Sequence, residues 1–372
     1  METRGVYLNE QLINQFRERI NRHYFVLHKY KNVEGKNKWN CICSAMDWIS
    51  VSIHYLCSDR VLKITKDENM NSIEVYTFIS CIDILWESIQ QLHRVFYDTT
   101  EILFSGERRF FVNNQFGMAD NDYFKTIRAC FGAHPVNLKD KFNGKTEERR
   151  FASWSGAFGS KDSFSVMLYS SDISDQTLRL DINFQELWEF AEHRYNYLEH
   201  LMGLIERQEK SNIREEKERT IAKVEDPLDQ IAILSKEVVR RSESDYYEEI
   251  LCKLKILFSA NINGEKNLNI VNQYRNLLLF ELEEVFNNVQ NMNFVELEWE
   301  EKLSGTMPWK YHYSYAKVCD YIFDGGYIDP IGIMELSEYI SDIVDPNLWE
   351  TYDELYALVE TVKYMKKISK VT

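Results

Sequence analysis

Apolar residues recur along this chain mostly at intervals of three and four, the spacing that lines one face of a helix. Over residues 9–30, Leu12, Ile13, Phe16 and Ile20 share a side and predict a first helix. A polar stretch, 31–38, follows, with Gly35 as its breaker. Residues 39–57 are apolar on most faces, which predicts a helix at the centre of a bundle. Over 72–97, Phe78, Ile82, Leu85, Ile89 and Leu92 predict a third long helix, and Phe124, Ile127 and Phe131 a shorter one over 121–132. That last segment opens on Asn121 and Asp122, both good N-cap types, with Gly132 as its expected C-cap and Pro135 as its stop.

The period changes between 150 and 183. Residues 163–170 and 176–182 alternate apolar and polar positions around the turn-rich 171–175, which predicts a β-hairpin inserted in the bundle. From Phe184 the helical period resumes and runs into the charged stretch 206–223, with the Asp226-Pro227 step as its expected end. Further helices are expected near 228–241, 246–258, 268–289, 311–323, 330–343 and 348–365. The fold class expected is mainly α: a helical bundle with an inserted β-hairpin, followed by a second helical domain. The boundaries are 1–205 for the bundle, about 150–183 for its insertion, 206–226 for a charged helical linker and 227–372 for the C-terminal domain.

Composition agrees with long helices and few turns, since only 14 Gly and 5 Pro occur in 372 residues. The 44 Lys and Arg against 59 Asp and Glu leave a formal charge of −15, which repels nucleic acid at long range. Nonspecific DNA binding is therefore not expected, and an RNA site has to be a local cleft, of the kind two subunits can assemble. The charge also leaves room for a basic protein partner. Seven cysteines, an odd number, read as buried reduced thiols of a cytoplasmic protein. The N-terminus lacks an apolar signal core, and no stretch is apolar enough for a bilayer, so no membrane association is expected.

The densest chemistry lies at the end of the 121–132 helix. Arg128 and His134 are six positions apart, so on an unbroken helix their side chains would diverge by about 120°. A break at Gly132 and Pro135 lets them converge. Near its ordinary pKa of about 6.5, a histidine takes a proton from a ribose 2′-hydroxyl or returns one to a leaving oxygen. A neighbouring arginine grips the phosphate through its planar fork. Tyr123, Lys125, Arg149 and Arg150 are the candidate substrate-binding groups, and Asp83 and Glu87, one turn apart, are candidates to orient the pair.

Arg128, five intervening residues and His134, after long apolar helices, resemble the arginine, four to six residues, histidine signature of the HEPN superfamily. The resemblance covers at most about residues 8–205. It implies a small helical bundle, RNA cleavage without metal or other cofactor by toxin or anti-phage defence nucleases, Arg128 and His134 as catalytic residues, and a homodimer with two motifs facing one cleft. A toxin of that kind implies an antitoxin or other protein partner. Active members commonly carry a polar residue after the arginine, where this chain has Ala129. The alternative is a noncatalytic helical interaction or scaffold protein that keeps such a bundle; Ala129 and the acidic charge favour it.

Other clusters point to structure. Cys41 and Cys43 project to opposite sides of a helix, so a metal shared with His54 and Cys57 is not expected. Glu186, Glu189, His193 and His200 lie on or near one face, but the Glu-x-x-His spacing of di-iron bundles is missing. No metal site is assigned. Trp309, Tyr311, His312, Tyr313 and Tyr315 read as core packing at a helix start.

Overall fold

A computed structural model of the chain describes residues 8–63, 65–133, 135–139, 148–154, 163–242, 244–298, 303–326 and 330–369. The chain divides into two compact units, Met1–Glu209 and Lys210–Thr372. The first is a helical bundle with a small antiparallel sheet; the second is built of helices.

The first expected helix is two. Helix α1 (Gln11–Asn21) buries Leu12, Ile13, Phe16 and Ile20. A 3₁₀ turn at Arg22–Tyr24 then redirects the chain into α2 (Phe25–Lys31), with Tyr24 left-handed at φ 54°. The break lets Phe16 and Tyr30 both meet the ring of Phe96, at 6.4 and 5.4 Å between centroids, which a straight helix would prevent. The turn to α3 (Lys38–Leu56) pairs Val33 with Lys36 around Glu34 and Gly35, both at positive φ, as a type I′ turn demands.

Helix α3 is one-sided: Ile42, Met46, Ile49 and Ile53 are buried, whereas Trp48 and Val51 are exposed. The central helix is instead α4 (Glu68–Tyr97), capped by Asp67. Its buried residues, among them Val75, Phe78, Ile82, Trp86, Ile89 and Phe96, meet α3 on one side and α6 on another. Helix α5 (Asp120–Arg128) is followed by a π turn, Ala129–Ala133. Helix α6 (Phe184–Tyr195) gives way at Asn196 to α7 (Tyr197–Glu218). The Tyr195 hydroxyl ties α6 to the start of α1, accepting from the Ile13 N–H and donating to the Asn9 carbonyl.

The hairpin is present as β3 (Ser163–Ser170) and β4 (Leu178–Asn183), with Val166 opposite Leu180. It belongs to a four-stranded sheet, β1-β2-β3-β4, completed by β1 (Leu138–Lys139) and β2 (Arg149–Trp154). Phe164, Val166, Leu168, Leu180 and Ile182 point into the core at the two-residue period of a half-buried sheet. Strand β2 keeps the period but reverses its polarity, since Arg150 is buried and Phe151 exposed.

In the second unit, α8 (Pro227–Arg241) starts on Asp226, whose side chain accepts from the N–H groups of Leu228 and Asp229. Helix α7 ends eight residues before that cap, earlier than expected. Part of the charged stretch is tied down: Arg241 donates to the carbonyls of Glu216 and Arg219. Helices α9 (Asp245–Ser259), α10 (Glu265–Gln290), α11 (His312–Asp324) and α12 (Pro330–Ile340) precede α13 (Tyr352–Ile368). Residues 354–362 of α13 are buried without interruption. Among the described residues, no helix is long and apolar enough to cross a membrane.

Two sequence expectations for side chains fail. The cysteines are not uniformly buried: only Cys130 is, while Cys57 and Cys252 are exposed. In the aromatic group Tyr311 is buried, but Trp309 and Tyr313 are 86% and 67% exposed.

Candidate functional site

Helix α5, which carries Arg128, is fixed at its start by two buried side chains rather than by a cap at Asn121 or Asp122. The Asp120 carboxylate accepts from the backbone N–H groups of Arg109, Phe110 and Phe111 at 2.7–3.2 Å. Asn121 donates to the carbonyls of Leu103 and Phe104 and accepts from Arg194. Together they hold the 103–111 loop onto the helix. Phe124, Ile127 and Phe131 are buried as the period requires.

Immediately after Arg128 the backbone widens into the π turn, which lets the consecutive Cys130 and Phe131 both enter the core. Insertions of this kind are frequent at functional sites. Gly132 is not the expected left-handed cap. It is small because the ring of Tyr76 from α4 lies against it: a Cβ would sit 2.8 and 3.0 Å from two ring carbons. Beyond the turn, the Pro135 carbonyl accepts from Ala152, leading the chain into the sheet.

Arg128 donates from Nη1 to Asp83 Oδ2 at 2.8 Å, and its side chain is 40% exposed against 18% for Asp83. Burial raises the Asp83 carboxyl above its ordinary pKa, while Arg128 and Lys125 pull it partly back. Lys125 is exposed, one turn before Arg128. Two cations thus share one carboxylate at this face. A phosphate approaching Arg128 meets guanidinium N–H groups already oriented by Asp83, with a second positive charge beside them.

Two expected substrate-binding groups are placed elsewhere. Tyr123 is 5% exposed, packed by Phe111 and Phe116, and burial pushes its hydroxyl up to about 12; it serves the core. Arg150 is fully buried, donating to the carbonyls of Leu168 and Gln176 beside Asp175; it serves the sheet. Arg149 is half-buried, its backbone paired with Ser171. His134 lies outside the described residues.

Features that sequence periodicity did not reveal lie elsewhere in the same unit. Arg194 is fully buried, paired with Glu107 at 2.8 Å, and stacked on Phe190 at 3.9 Å, with Trp86, Phe104 and Phe110 within 5.3 Å. Further along α4, His93 Nδ1 is hydrogen-bonded to the Tyr197 hydroxyl and His200 Nε2 to that of Tyr97, at 2.9 and 2.6 Å. Burial lowers the pKa of His93 despite nearby Glu101.

Of the carboxylate and histidine face on α6 and α7, His193 turns to Glu107, His200 to Tyr97 and Glu189 to Gln185. Among the described residues, no group of three or more His, Cys, Asp or Glu side chains is arranged to hold a metal ion. Compared with protein-family models, with curated proteins and with solved structures, the chain matches none.

Proposed function

We propose that this protein is a metal-independent endoribonuclease of the toxin or anti-phage defence type, HEPN-like in its N-terminal unit. The observation that carries the proposal is the state of Arg128: anchored on one side by Asp83, two-fifths exposed, and flanked by the exposed Lys125. His134 is the general acid and base. It takes the proton of a ribose 2′-hydroxyl as that oxygen attacks the adjacent phosphorus, and a proton is returned to the departing 5′-oxygen. Arg128 holds the phosphate and stabilises its transition-state charge. A homodimer would set two motifs in one cleft, which suits a chain whose overall charge disfavours RNA, and a protein partner would restrain the activity.

The test is incubation of cellular RNA with purified protein in chelator, with fragment ends mapped. Wild type is expected to leave 2′,3′-cyclic phosphate ends. Arg128→Ala should lose about 10²–10³-fold in rate and His134→Ala about 10²–10⁴-fold.

A second reading, a noncatalytic interaction module on the same bundle, draws on Ala129, half-buried where active relatives of the motif carry a polar group. It gains if wild type and His134→Ala are equally inert.

A further inference from the structure

We propose that Tyr76 is a base-stacking platform, seating an unpaired nucleotide of single-stranded RNA beside the phosphate held at Arg128. The inference rests on the RNA reading above and names its substrate class. Residues 73, 76, 80, 83 and 87 follow one another on α4 at three and four residues, so they form one stripe. Within this stripe is Asp83, bonded to Arg128. Two turns away, about 10 Å along the axis, is Tyr76, and its ring edge covers Gly132, four residues past Arg128. The ring is therefore tied to the Arg128 site from both helices.

Tyr76 nonetheless remains 44% exposed, as do Ile73 at 57% and Met70 at 53% on the same side of α4. In a unit whose other rings mostly close into the core, this one presents apolar surface two turns along α4 from the carboxylate that holds Arg128. An exposed ring about 10 Å along the helix from phosphate-holding charge fits a nucleotide, which carries a π-face and an anion within one unit. A base inside a duplex has both faces already stacked, so the occupant has to be unpaired. Gly132 belongs to the same device, because any larger residue would push the ring away.

The test uses single-stranded oligoribonucleotides carrying 2-aminopurine, whose fluorescence is quenched on stacking. Tyr76→Ala and Tyr76→Leu are expected to raise KM roughly 5- to 150-fold with kcat within about twofold, and to lose the quenching seen in a noncleaving His134→Ala background. Tyr76→Phe should retain both. The leucine variant keeps apolar cover over Gly132 and separates stacking from packing. If Tyr76→Leu cleaves and quenches like wild type, or if duplex RNA suffers equally, the platform is overturned while the nuclease stands. Quenching that depends on Tyr76 without cleavage would support the platform and remove the nuclease. A wild type that neither cuts nor binds RNA overturns both.

Discussion

The arginine buried behind the site helix makes a demanding test of how the first unit is held together. Arg194 has no solvent exposure, and Glu107, its partner at 2.8 Å, is 20% exposed. Burial pushes the guanidinium down to about 10 against the opposing pull of Glu107, so it is charged at neutral pH. Among the described residues its Nε and Nη1 have no hydrogen-bond acceptor, and the ring of Phe190 lies 3.9 Å away. Removing Glu107 leaves Arg194 with only the weaker pull of Asp120, and removing Arg194 leaves Glu107 without its buried cation. Glu107→Gln leaves a buried cation and should cost about 5 kcal/mol, the upper part of the range for broken buried pairs. Arg194→Met leaves a carboxylate that water can reach and should cost about 3 kcal/mol, part of it the lost cation–π contact.

In the double variant neither charge remains, and methionine fills much of the space, so the loss should fall to about 2 kcal/mol, less than either single change. The assay is urea unfolding of all four proteins, with hydrogen exchange of peptides from α5 and α6 assigning the transition to the first unit. It belongs near pH 8, where His193, 3.3 Å from Glu107 and lowered in pKa chiefly by burial, is neutral and cannot replace the arginine. Additive losses in the double variant, or single losses below about 1 kcal/mol, would refute the argument that the pair is mutually dependent.

Three further outcomes follow from the packing. Gly305→Ala would place a Cβ 2.0 Å from the Lys363 carbonyl oxygen, and backbone cannot yield as a side chain does, so the urea midpoint of the second unit should drop by the equivalent of about 3 kcal/mol. Glu360 is buried, which raises its carboxyl, but Lys363, Lys253 and the Tyr315 hydroxyl outweigh burial and leave it below the ordinary value. Its stabilisation is then complete above about pH 4.5 and lost as pH falls through the folded pKa; Glu360→Gln should flatten that acid limb in a pH series of unfolding free energies. For His93, also lowered by burial, stabilisation is full above about pH 6.5 and declines as pH falls through the folded value, so an NMR titration of its ring should show a midpoint below 6.5.

The helices were legible wherever apolar residues kept one period, as in α4 and α8 to α13, because burial of a single face is what that period encodes. The break between α1 and α2 was not, since the signal that bends the chain is the distant ring of Phe96 and not a local Gly or Pro. Strand β2 escaped notice because its inward residue is Arg150 and an outward one Phe151, the reverse of the polarity that alternation detects. Helix α3 misled through Trp48 and Val51, apolar residues left in solvent. At the site, the Asp83 partnership with Arg128 was within reach of helical spacing. The burial of Tyr123 and Arg150 and the contact of Tyr76 with Gly132 depend on elements remote in sequence, which no local pattern records.

The most direct test of the central claim is cleavage of a synthetic single strand of RNA that carries one 2′-deoxynucleotide at a mapped cleavage position, with chelator present throughout. If His134 activates the neighbouring 2′-hydroxyl and Arg128 holds the phosphate, wild type should cut the all-ribose strand there, leave a 2′,3′-cyclic phosphate, and fail only at the deoxy position. Cleavage that persists across the deoxy position, or that is unchanged in His134→Ala, would contradict the account.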